Sequence, residues 1–261
     1  MWPIGKASVR KGGAMLERRR RLLVHKFWLR PLGLIVATGC LFAFFSAISS
    51  PGNQSTEPND WENPLVFSRN AEPPHATLMP YASMEEALAG ERLKSPYCAL
   101  LNGKWKFHWT GKPADRPLHF YRPDFDVSAW KEIEVPGNWQ LQGYDVPIYL
   151  NTGYPFKKDP PRIPHDHNPV GSYRTEFEIP EAWLSRQVFL HFDGVESAFY
   201  AWVNGELVGY SEDSRTPAEF NITRLVRPGK NCLAVEVYRS SCASMPMPWG
   251  IRWGISSITG R

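Results

Sequence analysis

The stretch VPGNWQLQGYDVPIYLNTGYP, residues 135–155, crowds aromatic rings, amides and a carboxylate onto backbone rich in proline and glycine. Carbohydrate recognition asks for such a mixture: planar rings against the apolar face of a sugar, amides and carboxylates against its hydroxyls. Asn138, Trp139, Gln140, Gln142, Tyr144, Asp145, Tyr149, Asn151 and Tyr154 supply both kinds. Loops carried on a rigid β scaffold are a common home for a site of this type. The same residues also suit a packed loop, with Trp139 capping a core and Asp145 and Asn151 satisfying turn amides. Residue types alone weigh the two readings evenly.

Other candidates for chemistry are thinner. His165-Asp166-His167 has the composition of a metal ligand set. Adjacent extended residues point in opposite directions, however, and Pro164 and Pro169 flank the triplet, so a surface loop is the better reading. Glu212 and Asp213 are acids, but a hydrolytic carboxylate pair is defined by spatial separation, which sequence does not show. There is no nucleophile elbow, phosphate loop or dinucleotide fingerprint. Cys40, Cys98, Cys232 and Cys242 are scattered, with no CxxC pair. They predict neither a zinc site nor a full disulfide framework. The expectation is no catalytic residue and no metal ligand within this chain.

The elements that must position these residues read as strands. In LLNGKWKFHW, Trp105, Phe107 and Trp109 share one face and Lys104, Lys106 and His108 the other, the period of two of a half-buried strand. Further strands are predicted over Glu132 to Val135, over GSYRTEFEI with Tyr173, Thr175, Phe177 and Ile179 together, and over RQVFLHFDGV with Val188, Leu190 and Phe192 together. AFYAWVNGELVGYSED is a hairpin centred on Asn204-Gly205, and NCLAVEVYR places Leu233, Val235 and Val237 on one face. A short helix is expected over Met84 to Leu93. Many short strands joined by Gly, Pro and Asn turns indicate an all-β, antiparallel sandwich.

Charge divides the chain. Residues 1–30 carry nine Lys or Arg against one acid, leaving 21 basic and 25 acidic residues in the remainder. An acidic body with a short basic head is not the pattern of a nucleic-acid binder, which needs positive charge on its folded surface. The apolar run PLGLIVATGCLFAFFSAI, residues 31–48, has no charged residue. As a helix it would be roughly 27 Å long, near the thickness of a bilayer's hydrocarbon core. A basic flank before it predicts a signal-anchor, with the head cytoplasmic and the body exported, single-pass in the membrane. A cleaved signal peptide, a lipoprotein signal at Cys40 and a buried helix rank behind. If translation starts downstream, the alternative is a cytoplasmic protein. Residues 49–60 have linker composition.

From DWENP at Asp60 to LAVEVYR at Arg239 the sequence resembles the N-terminal sugar-binding domain of the large bacterial β-galactosidases of glycoside hydrolase family 2. The motifs are LNGKWKFHW, VPGNWQLQGYDVPIYLNTGYPF, NPVGSYRTEFEIP, FDGVESAFYAWVNGELVGYSEDSRTPAEFNIT and LAVEVYR, in family order. The resemblance implies a jelly-roll, galactose-binding-domain-like sandwich over residues 61–239, preceded by one hydrophobic helix. It implies hydrolysis of terminal β-galactosides with retention, by two glutamates of a separate barrel that this chain lacks. The chain alone is thus expected to be inactive, a carbohydrate-binding fragment. Its alternatives are a subunit that completes a barrel-containing partner and a membrane-anchored carbohydrate-binding module. Asn151 matches a family asparagine that hydrogen-bonds substrate, with Trp139, Asp145, Tyr149 and Tyr154 as a supporting loop. Galactosides are the implied ligands. The magnesium and sodium ions of the intact family enzyme are not expected in this fragment.

After Arg239 the family pattern continues with an aspartate that touches substrate and a monovalent cation. Here SSCASMPMPWG follows instead, with no acid beyond Glu236. Residues 240–261 therefore read as a divergent tail, a frameshift or a misplaced end. The expectation is a missing closing strand and an open sheet edge.

Overall fold

Alternation of large apolar and polar residues sets most of the strands of this computed structural model, which describes residues 59–148, 156–157, 159–244 and 253–260. In chain order the strands are β1 (Ser68–Arg69), β2 (Cys98–Ala99), β3 (Gly103–Thr110), β4 (Lys131–Val135), β5 (Val170–Ile179), β6 (Val188–Val195), β7 (Ala198–Val203), β8 (Glu206–Ser211), β9 (Ala218–Asn221), β10 (Gly229–Tyr238) and β11 (Trp253–Gly260). The α-helix among the described residues is α1 (Met84–Ala89). It is shorter than Met84 to Leu93, because Gly90 takes a left-handed φ of 68° and ends it. Its start is fixed by Ser83, whose hydroxyl accepts the Glu86 amide at 3.2 Å, while the Glu86 carboxylate accepts the Ala82 amide at 3.1 Å.

All the strand pairings are antiparallel. They build a seven-stranded sheet in the order β1-β8-β7-β10-β5-β3-β4 and a four-stranded sheet in the order β2-β11-β6-β9. The inward faces form one apolar cluster. The large sheet supplies Trp105, Phe107, Tyr173, Phe177, Phe199, Leu233, Val235 and Val237, and the small sheet Val188, Leu190, Phe192 and Phe220. Burial of such rings is the main source of stability in a domain of this size. The Trp105 indole also donates to the Leu101 carbonyl at 2.8 Å, so its polar end is not left dry. Asn204 (φ 52°) and Gly205 (φ 91°) close the β7–β8 hairpin in the left-handed conformations that such a turn requires.

The large sheet has a second buried layer on its outward side. Trp61, Ile163, Val170, Ala198, Tyr210 and Tyr238 cluster there, and Trp61 stacks on Tyr238 with ring centres 5.1 Å apart. Nothing in the alternation of β10 announces this layer, since Glu236 and Tyr238 read as a solvent face.

Two expectations change. The closing strand expected to be missing is present: β11, in the tail, pairs with β2 on one side and β6 on the other. The reason is that β6 leaves backbone donors and acceptors along one edge, and an extended segment of any compatible sequence satisfies them. Register slips near Gly254 and Ile255 show the fit to be irregular. The second correction concerns the membrane. Residues 31–48 lie outside the described residues, and among those described no helix is long and apolar enough to cross a bilayer. The placement as a single-pass membrane protein through residues 31–48 is therefore withdrawn.

Candidate functional site

The loop that follows β4 is held from beneath before it reaches Asn151. Trp139 lies in a short 3-10 turn, Trp139–Gln142, and is fully buried. Its ring packs near Phe107, with centres 6.2 Å apart, and over Gly171 on β5. A Cβ added to Gly171 would stand 2.6 Å from the indole, so the glycine makes the approach possible. Trp139 supports the loop from inside the core and offers no face to a ligand.

The amide of Gln142 is likewise engaged. Its Oε1 accepts the Glu134 backbone amide at 2.8 Å and its Nε2 donates to the Glu134 carbonyl at 3.1 Å. A side chain thus takes the place of a neighbouring strand beside β4. Tyr144 stands edge-on to Phe107, with ring centres 4.8 Å apart.

Asp145 is the second anchor. Its backbone is left-handed, with φ 62°, and its carboxylate forms a buried ion pair with Arg239, which directly follows β10. The Asp145 carboxylate also accepts the Val146 amide at 2.8 Å, and Arg239 donates to the Val146 carbonyl at 3.2 Å. Arg239 is itself placed by its amide, which donates to the Pro169 carbonyl at 3.0 Å. Fully buried Asn168 then clamps the next residue, donating to the Ser240 carbonyl at 3.0 Å and accepting its amide at 2.9 Å. The result is a rigid root for the loop, built from three distant segments. Tyr149, Asn151 and Tyr154 lie outside the described residues. Of the five residues singled out, the structure therefore places Trp139 and Asp145, both at this root.

His165 donates from Nε2 to the Glu62 carboxylate at 2.8 Å and lies against Trp61, and it forms no cation cluster with Asp166 and His167. Among the described residues no three His, Cys, Asp or Glu side chains converge on a point.

Two further acids, Glu212 and Glu236, serve the outward layer of the large sheet. Glu236 accepts from the Tyr238 hydroxyl at 2.7 Å and faces Arg116 at 3.4 Å. Glu212 accepts from the Tyr210 hydroxyl at 3.0 Å and from the Cys242 thiol at 3.4 Å. Burial raises both carboxyls above their ordinary range, and it raises the Cys242 thiol to about 12. Asp60 moves the other way, lowered by the hydrogen bonds and charge of Arg69. His108 is lowered by burial.

These shifts predict a pH dependence of stability. A carboxyl raised by folding binds its proton more tightly in the native state. The contribution of Glu212 and Glu236 is therefore full below the ordinary carboxyl range and is lost as pH rises through their raised native values. Asp60 and His108 act oppositely, contributing above their ordinary values and losing that contribution as pH falls. Urea midpoints of the protein should thus fall more steeply with rising pH than those of a Glu212→Gln, Glu236→Gln double variant. Parallel pH profiles would contradict the assignment.

Residues 98–258 match the sequence profile of the glycosyl hydrolases family 2, sugar binding domain. The chain belongs to this family. Its relatives include the β-galactosidase of Priestia megaterium, 48% identical over 200 residues, which cover 75% of this chain and 19% of that protein. The β-galactosidase of Psychromonas ingrahamii is 48% identical over 185 residues, 71% of this chain and 18% of that one. This family 2 chain therefore spans about a fifth of the length of the curated relatives it matches. Among solved structures, a Bacteroides uniformis β-glucuronidase is similar with a TM-score of 0.47 and 24% identity, over 62% of this chain and 18% of that one.

Sequence reasoning missed Arg239, Asn168 and Gln142 as the residues that build the loop's root. Arg239 ends the quoted motif LAVEVYR as its one basic residue, which was a usable signal. Its partner lies 94 residues away, and no local pattern connects them.

Proposed function

We propose that this chain is the sugar-facing lobe of a β-galactosidase-type enzyme, with a jelly-roll topology, and that bond cleavage belongs to residues outside it. The observation that carries the reading is the 48% identity to β-galactosidases, with the Asp145–Arg239 root of the loop inside the matched family domain, residues 98–258. In this reading the root holds the loop steady while Asn151 offers its amide to a galactoside hydroxyl. A rigidly held amide loses little freedom on binding, so its hydrogen bond is available to orient the sugar. The retaining reaction needs two carboxylates that flank the glycosidic bond. Glu212 and Glu236 do not suit that role, because each is buried and committed to a tyrosine.

A partner bearing the reacting carboxylates, whether on the same polypeptide or a separate one, completes the site. The test uses the full chain with an aryl β-galactoside. Alone, it should give no turnover. Mixed with a family β-galactosidase deleted for the region matching residues 98–258, it should restore hydrolysis, and Asn151→Ala should weaken that restoration. Turnover by the chain alone, scaling with protein through further purification, would overturn the proposal.

A further inference from the structure

A concave site lies where the segment His119 to Asp124 meets the β7–β8 turn. It is an open cleft of about 490 Å³, lined by His119, Tyr121, Arg122, Asp124, Asn204 and Glu206, with Pro123 and Gly205 between its walls. This volume falls within the range of small-molecule sites.

Both walls are fixed from behind. Buried Arg174 on β5 donates one guanidinium nitrogen to the carbonyls of Phe120 and Arg122, at 2.5 and 2.9 Å. The turn is held by Asn204, whose amide nitrogen donates to Leu225 and Asn231 at 2.8 Å each and whose oxygen accepts the Cys232 amide at 2.9 Å. Asn204 is thus spent on structure. The turn also closes against the loop, since a Cβ on Gly205 would meet the Pro123 ring at 3.1 Å. Tyr121 stacks on Trp202 with ring centres 5.0 Å apart and planes 10° apart, and its hydroxyl meets the His119 ring at 3.2 Å.

The groups left for a ligand are one aromatic platform, one guanidinium and two carboxylates. Arg122, Asp124 and Glu206 are exposed, and none of these side chains forms an ion pair among the described residues. Two carboxylates disfavour an anion, and a guanidinium lining the same cleft disfavours a cation. Donors and acceptors of both kinds beside a ring face suit a neutral polyhydroxylated ring. From this geometry we infer that the cleft is a second carbohydrate subsite, taking a neutral pyranoside with its apolar face on Tyr121 and its hydroxyls on Arg122, Asp124 and Glu206. It does not use Asn151 and does not depend on the role given to that residue.

Saturation-transfer difference spectra of methyl β-galactoside with the full chain test it, with glucuronate and spermidine as charged probes. The galactoside should show transfer that survives Asn151→Ala and that, in the Asn151→Ala background, disappears on adding Tyr121→Ala or Glu206→Gln. Glu206 is the exposed first residue of β8, so its variant reads the site even where Tyr121→Ala disturbs folding. Either charged probe should give weaker transfer than the galactoside. Transfer that is absent, that is lost only with Asn151→Ala, or that is equalled by glucuronate or spermidine overturns the inference.

Discussion

Replacing Arg239 by methionine should lower the unfolding free energy by about 3–5 kcal/mol, the usual cost of stranding one member of a buried ion pair. The Asp145 side chain is 5% exposed and that of Arg239 12%, so water cannot take over the role of the missing guanidinium. The loss has a second part, because Arg239 also holds the Val146 carbonyl. Asp145→Asn should cost less. Asparagine keeps the left-handed backbone that Asp145 adopts at φ 62°, and its amide oxygen can still accept from the Arg239 guanidinium, so the remaining charge keeps a hydrogen-bond partner. In the double variant the methionine change should cost less than it does alone, because its stranded partner is gone. Urea denaturation of the four proteins measures each term. A single-variant loss near or below about 1 kcal/mol, the range of exposed pairs, would show that the pair is solvated. Loss of stability should also carry a functional trace: restoration of a deleted β-galactosidase should weaken with Arg239→Met even under conditions where the variant is fully folded, since the root no longer fixes the loop that leads to Asn151.

How much of this was readable beforehand depends on the range of the interaction. The period-two patterns of Trp105/Phe107 and Leu233/Val235/Val237 placed their strands and inward faces, because a single buried face imposes its alternation on the strand itself. The Asn204-Gly205 turn was readable for a similar reason: its backbone needs two left-handed residues in succession, and few residue types supply them. Trp139 was legible only as a choice between core and ligand. Its resolution depends on Gly171, 32 positions away, which alone leaves room for the ring. Gln142 looked like a sugar-binding amide because an amide that imitates a strand has the same formula as one that meets a hydroxyl. The outward layer was hidden for another reason. Glu236 and Glu212 each sit two residues from the tyrosine that serves them, so a buried acid–phenol pair has the same spacing as a solvent face. The tail was misread because pairing along a sheet edge is mostly a matter of backbone. Asn151, the residue on which the functional reading turns, lies outside the described residues, so its role rests on resemblance.

The contact between Trp139 and Gly171 joins the core to the loop, and it supports the other large prediction. Trp139→Ala should cost about 3–5 kcal/mol, because a fully buried indole leaves a void that the surrounding rings of Phe107 and Tyr173 cannot fill. Gly171→Ala should cost about 1–3 kcal/mol for the opposite reason, overpacking. The new methyl would stand 2.6 Å from the Trp139 ring, 2.8 Å from Tyr173 and 2.9 Å from Phe107, so relieving one contact worsens another. The two changes should not add. With the indole removed, the methyl at position 171 occupies part of the void, and the cost of Gly171→Ala should shrink or reverse in the Trp139→Ala background. Chemical denaturation of the two single variants and the double variant measures the coupling. Strict additivity would mean that Tyr173 and Phe107, not the indole, set the limit at Gly171, and that the Trp139–Gly171 contact does not couple the loop to β5.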